Sequence, residues 1–169
     1  NELPVQSAMR SWKELRAEIK QRISQPMPKN LHNFLRIILE MDEEILGQRA
    51  QHFHEVIGGP VTVLPPDTRH VDYDVIPLTI ADGCLYHCGF CQVKSGKNFV
   101  PRTHENISEQ IEKLKQFYGP DLPNYTSLFL GQHDALHAGL DLLQFAATKA
   151  YELFELKRSY LQDAYLFLF

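Results

Sequence analysis

From Val71 onward, apolar runs of strand length alternate with segments of helical period, and this alternation is the strongest constraint on the fold. Residues 71–80 read as a mostly buried strand, in which Pro77 calls for a sheet edge or an irregularity. Ile107, Ile111, Leu114 and Tyr118 fall on one face of a helix, with Asn106 and Glu109 as its capping box and Gly119-Pro120 as its stop. Residues 125–130 read as a second strand, 131–138 as a loop, 140–156 as a helix and 165–169 as a third strand. Strands that alternate with helices form parallel βαβ units, so the expected class is α/β. Such sheets carry their sites on loops that follow the carboxyl ends of strands.

The first third reads differently. Ser11 is the expected N-cap of a helix over residues 11–24, with Trp12, Leu15, Ile19 and Ile23 on one face. Pro26 and Pro28 break it. Asn30 then caps a single longer helix reaching about Val56, with Leu31, Phe34, Leu35, Ile38, Met41, Ile45 and Leu46 as its apolar stripe. Gly58-Gly59-Pro60 ends it, and a short strand over residues 61–64 meets the turn Pro65-Pro66-Asp67. The expected division is a helical segment over residues 1–60 and an α/β region over 61–169.

The chain has three cysteines, and all lie in Cys84-Leu-Tyr-His-Cys88-Gly-Phe-Cys91. An odd count is a poor disulfide framework and fits a reducing cytosol. The C-x3-C-x2-C spacing admits three readings. Thiols at i, i+4 and i+7 would share one helical face and be buried there. Gly83 and Gly89 argue instead for a loop that wraps a ligand. That ligand is a zinc ion completed by His87 or a distant histidine, or an iron–sulfur cluster held by three thiolates. Structural zinc usually pairs two short knuckles, and no second one is present. Three thiolates on a [4Fe–4S] cube leave one iron with an open position.

The triad, with Phe90 just before the last thiol, resembles the cluster loop of the radical S-adenosylmethionine (SAM) superfamily. The stretch Leu128-Phe-Leu-Gly131-Gln-His-Asp134-Ala-Leu136 is similar to the glycine-rich motif that ends the second strand there. Gln132 and His133 stand where glycines are usual. The resemblance covers about residues 71–169. It implies a helical N-terminal segment followed by the first βα units of a partial (β/α) barrel. It further implies a [4Fe–4S] cluster on Cys84, Cys88 and Cys91, with SAM on the open iron and Gly131 and Asp134 at the SAM amino end. Phe90 would shield the cluster or stack near the adenine. The implied chemistry is reductive cleavage of SAM to a 5′-deoxyadenosyl radical that abstracts hydrogen from an unnamed substrate. An electron donor such as a flavodoxin or ferredoxin would serve it. The alternative from another class is a non-catalytic interaction domain stapled by zinc or a cluster.

Several other residues admit two roles. Asp134 either pairs with an ammonium group or caps the next helix. His87 either orders the cysteine loop or stands in solvent, and His133 and His137 flank the second loop. Lys94, Lys97 and Arg102 form a basic stretch, either solvated or facing an anionic substrate or a reductase. His52 and His54, with Glu55, read as a helix end satisfying its carbonyls.

At 44% apolar and 22% charged residues the composition is that of a folded protein and argues against disorder. A net charge of −4 argues against a broadly basic surface for nucleic acid, while leaving room for a local patch. No apolar run suits a membrane span, and no signal peptide is visible. Asn1 at the start and an apolar run at the end lead to the expectation of a fragment of a longer protein.

Overall fold

The computed structural model describes residues 2–59, 75–90, 97–131, 134–158 and 165–168. The expected strand at 61–64 and its turn lie outside these residues, as does the start of the 71–80 strand. The chain divides into two compact units, Asn1–Gln51 and His52–Phe169.

The first unit is helical: α1 (Glu2–Arg22), α2 (Lys29–Glu40) and the start of α3 (Glu43–Ile57). Helix α1 begins well before Ser11, which lies inside it rather than at its cap. Pro4 sits in its first turn, where a missing N–H costs nothing, and no breaker follows until the residues after Arg22. Pro28, not Asn30, precedes the first residue of α2. The expected single helix to Val56 is two. Between them Asp42 turns its carboxylate back to accept from the Ile45 N–H at 3.0 Å, an N-cap that starts α3. Glu43 and Glu44 follow in the first turn, favourable at the positive end of the helix dipole. The Arg16 guanidinium donates to the carbonyls of Met41 and, at 2.7 Å, Leu39, and so satisfies acceptors that α2 leaves open at its end.

The second unit is mixed α/β. Strands β1 (Val75–Leu78), β4 (Ser127–Leu130) and β5 (Tyr165–Leu168) form a parallel sheet in the order β1-β4-β5. Helices α4 (His104–Tyr118) and α5 (Leu140–Leu153) connect them. A two-stranded antiparallel ribbon, β2 (Ala81–Asp82) with β3 (Val100–Pro101), lies between β1 and α4. The core is built by Ile76, Leu78 and Ile80 at period two, with Leu128 and Leu130 of β4, and Ile107, Ile111 and Leu114 of α4. Leu142, Leu143, Ala146 and Ala150 of α5 close it. Every residue of β4 is buried, as a strand in the middle of a parallel sheet covered on both faces should be.

Pro77 lies on β1, an outer strand of the described sheet. The Leu78 carbonyl faces β4, where it accepts from the Gly131 N–H at 2.8 Å. Alternate residues therefore face outward, so the missing N–H of Pro77 costs no ladder bond. Thr79 faces outward too, and Gln110 of α4 takes the place of a neighbouring strand. Its Oε1 accepts from the Thr79 N–H at 2.8 Å, and its Nε2 donates to the Thr79 carbonyl at 2.9 Å. Both residues are buried.

The start of α4 also differs from expectation. Thr103 is the N-cap, its hydroxyl oxygen accepting from the Asn106 N–H at 3.2 Å. Asn106 is thus the third helical residue, and Glu109 pairs with Lys113 at 2.6 Å instead of capping. Gly119 ends the helix with φ 49° and ψ −124°, a backbone conformation open to glycine.

Candidate functional site

The ribbon β2–β3 makes the cysteine stretch a closed loop. Asp82 and Arg102 stand at its base, and Arg102 grips the Asp82 carboxylate with two bonds, from Nε at 2.9 Å and Nη2 at 2.8 Å. The Arg102 N–H also donates to the Ile80 carbonyl at 2.8 Å. Arg102 is therefore a clamp across the neck of the loop rather than a solvated cation or an anion contact, since its side chain is only 11% exposed. Its guanidinium also lies against Gly58, where an added Cβ would meet Nη2 at 2.3 Å. The N–H groups of Gly58 and Gly59 both reach the His54 carbonyl, which makes this the satisfied end of α3.

Above the neck, Gly83 has φ +74° and runs against the returning chain: a Cβ there would stand 2.0 Å from the Asn98 carbonyl oxygen. Cys84 then bridges to Asn98, with its N–H donating to the Lys97 carbonyl at 3.2 Å. The stretch from Gly83 to Phe90 holds bends and turns and no helix, so Cys84 and Cys88 do not share a buried helical face. Both are free thiols, half-buried. His87 adopts left-handed backbone, φ 44°. Tyr86 and Phe90 stand in solvent, Phe90 at 88% exposure. Cys91 and Lys94 lie outside the described residues.

The second loop leaves the neighbouring strand at the same end of the sheet, because β1 and β4 are parallel partners. Gly131, with φ +76°, makes the turn, and a Cβ there would press on that of Ala135 at 3.0 Å. Gln132 and His133 lie outside the described residues. Asp134 is left-handed, φ 57° and ψ 27°, and precedes a short 3-10 turn, Ala135–Ala138. It forms no side-chain cap bond to that turn. Instead its Oδ2 reaches the cysteine loop, accepting from the Leu85 N–H at 3.3 Å and from the Cys84 Sγ at 3.4 Å. The Tyr86 N–H donates to the same sulfur at 3.5 Å. A second contact joins the loops where His137 meets Phe99 edge-on, with ring centres 5.2 Å apart.

The structure thus joins Cys84 to Asp134, two residues fifty positions apart, next to Gly131. Sequence reasoning chose each without seeing that they touch, and it missed the Arg102–Asp82 clamp. Asp82 faces Val100 across the ribbon and Arg102 lies diagonally beyond it, and strands this short leave no signal in the sequence. Among the described residues no group of three or more His, Cys, Asp or Glu side chains is placed to hold a metal ion. The two described thiols are soft donors on one loop, and their chemistry fits iron–sulfur or zinc ligation. Among the described residues no helix is long and apolar enough to cross a membrane. Compared with protein-family models, curated proteins and solved structures, the chain gives no match.

Proposed function

We propose that this chain is a radical SAM enzyme, with Cys84, Cys88 and Cys91 holding a [4Fe–4S] cluster and Gly131 and Asp134 receiving the amino end of SAM. The observation that carries the reading is the meeting of two loops. The first cysteine and a carboxylate from the next parallel strand stand within hydrogen-bond reach, at the carboxyl end of the sheet. A sulfonium ligand whose methionine part binds beside a thiolate-held cluster needs an anion for its ammonium group, and Asp134 is the acidic residue there. The order β1-β4-β5 gives support for a partial (β/α) barrel, since consecutive parallel strands stay adjacent without reversal.

When bound, such a cluster supplies the single electron that cleaves SAM to a 5′-deoxyadenosyl radical. The chain's own residues orient and shield. The Arg102–Asp82 clamp and Gly83 hold the loop closed, and exposed Tyr86 and Phe90 are apolar surfaces ready to cover a ligand. Two free thiols fit a reducing cytoplasm, and the electron donor is a flavodoxin- or ferredoxin-like protein.

The test is low-temperature electron paramagnetic resonance on anaerobically reconstituted, dithionite-reduced protein, with and without SAM. A [4Fe–4S]⁺ signal that shifts on adding SAM is the expected result. Zinc in place of iron and sulfide would make the loop a structural staple and sink the enzyme reading. A cluster indifferent to SAM would remove the role assigned to Gly131 and Asp134.

A further inference from the structure

Asp134 has more to do in this fold than wait for a cationic ligand. Its carboxylate already has two donors, both from the cysteine loop. Its backbone is left-handed, a conformation that costs most residues about 1 kcal/mol or more and suits Asp, Asn and Gly. That turn is not used to cap the following 3-10 turn. Leu85, Tyr86 and Phe90 are exposed, and no neighbouring atom lies within 4 Å of a Cβ built on Gly89.

We propose that Asp134 is a positioning residue that latches the cysteine loop to the loop that follows β4. One carboxylate oxygen accepts from the Leu85 N–H and the Cys84 thiol, and so parks the first ligand against the second loop. The left-handed turn at Asp134 aims the carboxylate back across the gap between β1 and β4. This role deepens the reading above and rests on it only for the identity of the metal and the later ligand.

The experiment uses metal-free full chain and reads amide hydrogen exchange by NMR in wild type, Asp134→Asn and Asp134→Gly. Glycine keeps the left-handed turn and deletes the acceptor. Asparagine keeps both the turn and an acceptor oxygen. In Asp134→Gly the Leu85 amide is expected to exchange about tenfold faster, while Leu130 and Ile111 keep their wild-type rates. In Asp134→Asn the Leu85 amide stays near wild type. Unchanged Leu85 exchange in Asp134→Gly would overturn the latch. So would a rise spread evenly over β4 and α4, which would signal a weakened fold instead. No metal or SAM enters this measurement, so a failed resonance experiment and a failed latch are separate results.

Discussion

Gln110→Leu is the substitution whose cost follows most directly from the structure. Gln110 is 3% exposed and lies at an inward position of α4 between Ile107 and Ile111. Leucine is of similar size and suits the same apolar surroundings, so packing changes little. What disappears is both partners of Thr79, which is itself 4% exposed. Each buried main-chain group left unpaired costs about 1–3 kcal/mol, so the pair should cost about 2–6 kcal/mol. Against a typical total of about 5–15 kcal/mol, that is a large fraction. With a urea slope of about 1–3 kcal/mol per molar, the unfolding midpoint should fall by about 1–2 M, read by circular dichroism. Gln110→Glu separates the two bonds. A carboxylate still accepts from the Thr79 N–H, but it faces the Thr79 carbonyl with a second acceptor. Its loss should shrink in acid, where a protonated carboxyl can donate again. An unfolding free energy for Gln110→Leu within about 0.5 kcal/mol of wild type would refute the idea that a side chain stands in for a strand here.

Gly83→Ala should cost more than about 2 kcal/mol, since it combines positive φ with a backbone oxygen 2.0 Å from the new Cβ. Gly89→Ala, with open space around it, should stay within about 0.5 kcal/mol; thermal melts of the two variants give the comparison. Thr103→Ala should lose about 1 kcal/mol through its cap, and Glu109→Ala much less; the reverse order in urea titrations would restore the Asn106–Glu109 cap. Burial holds the Tyr118 phenol neutral well above the ordinary tyrosine range, with Tyr125 adding to the effect. The unfolded chain ionises first, so stability is intact below the ordinary value of 10.0 and falls as pH rises past it. Tyr118→Phe should remove that share of the alkaline slope, measured as unfolding midpoints across this pH range.

The α/β alternation was legible because Ile107, Ile111 and Leu114 keep helical period while β1 and β4 are short apolar runs between turn residues. Parallel pairing followed from the connections alone. The break at Asp42 was hidden because an acidic residue on a polar helical face and an N-cap look alike until the chain turns. Strands β2 and β3 are two residues each, too short to carry any period. Gln110 was visible as a polar residue within an apolar stripe, but its partner lies thirty-one positions away. The site divides the same way. Local chemistry picked out Cys84, and a motif resemblance Gly131 and Asp134, whereas only the parallel register of β1 and β4 brings Asp134 to Leu85.

Strand β1 has a further consequence for how the sheet can be extended. On its outer side Pro77 offers no donor, and Thr79 has already spent its donor and acceptor on Gln110. An incoming strand, whether from a neighbouring molecule or from a misfolding copy, finds an interrupted template there. Strand β5 pairs with β4 on one side, and among the described residues nothing pairs with the other. Among the described strands, β5 therefore presents the more continuous edge to a new strand.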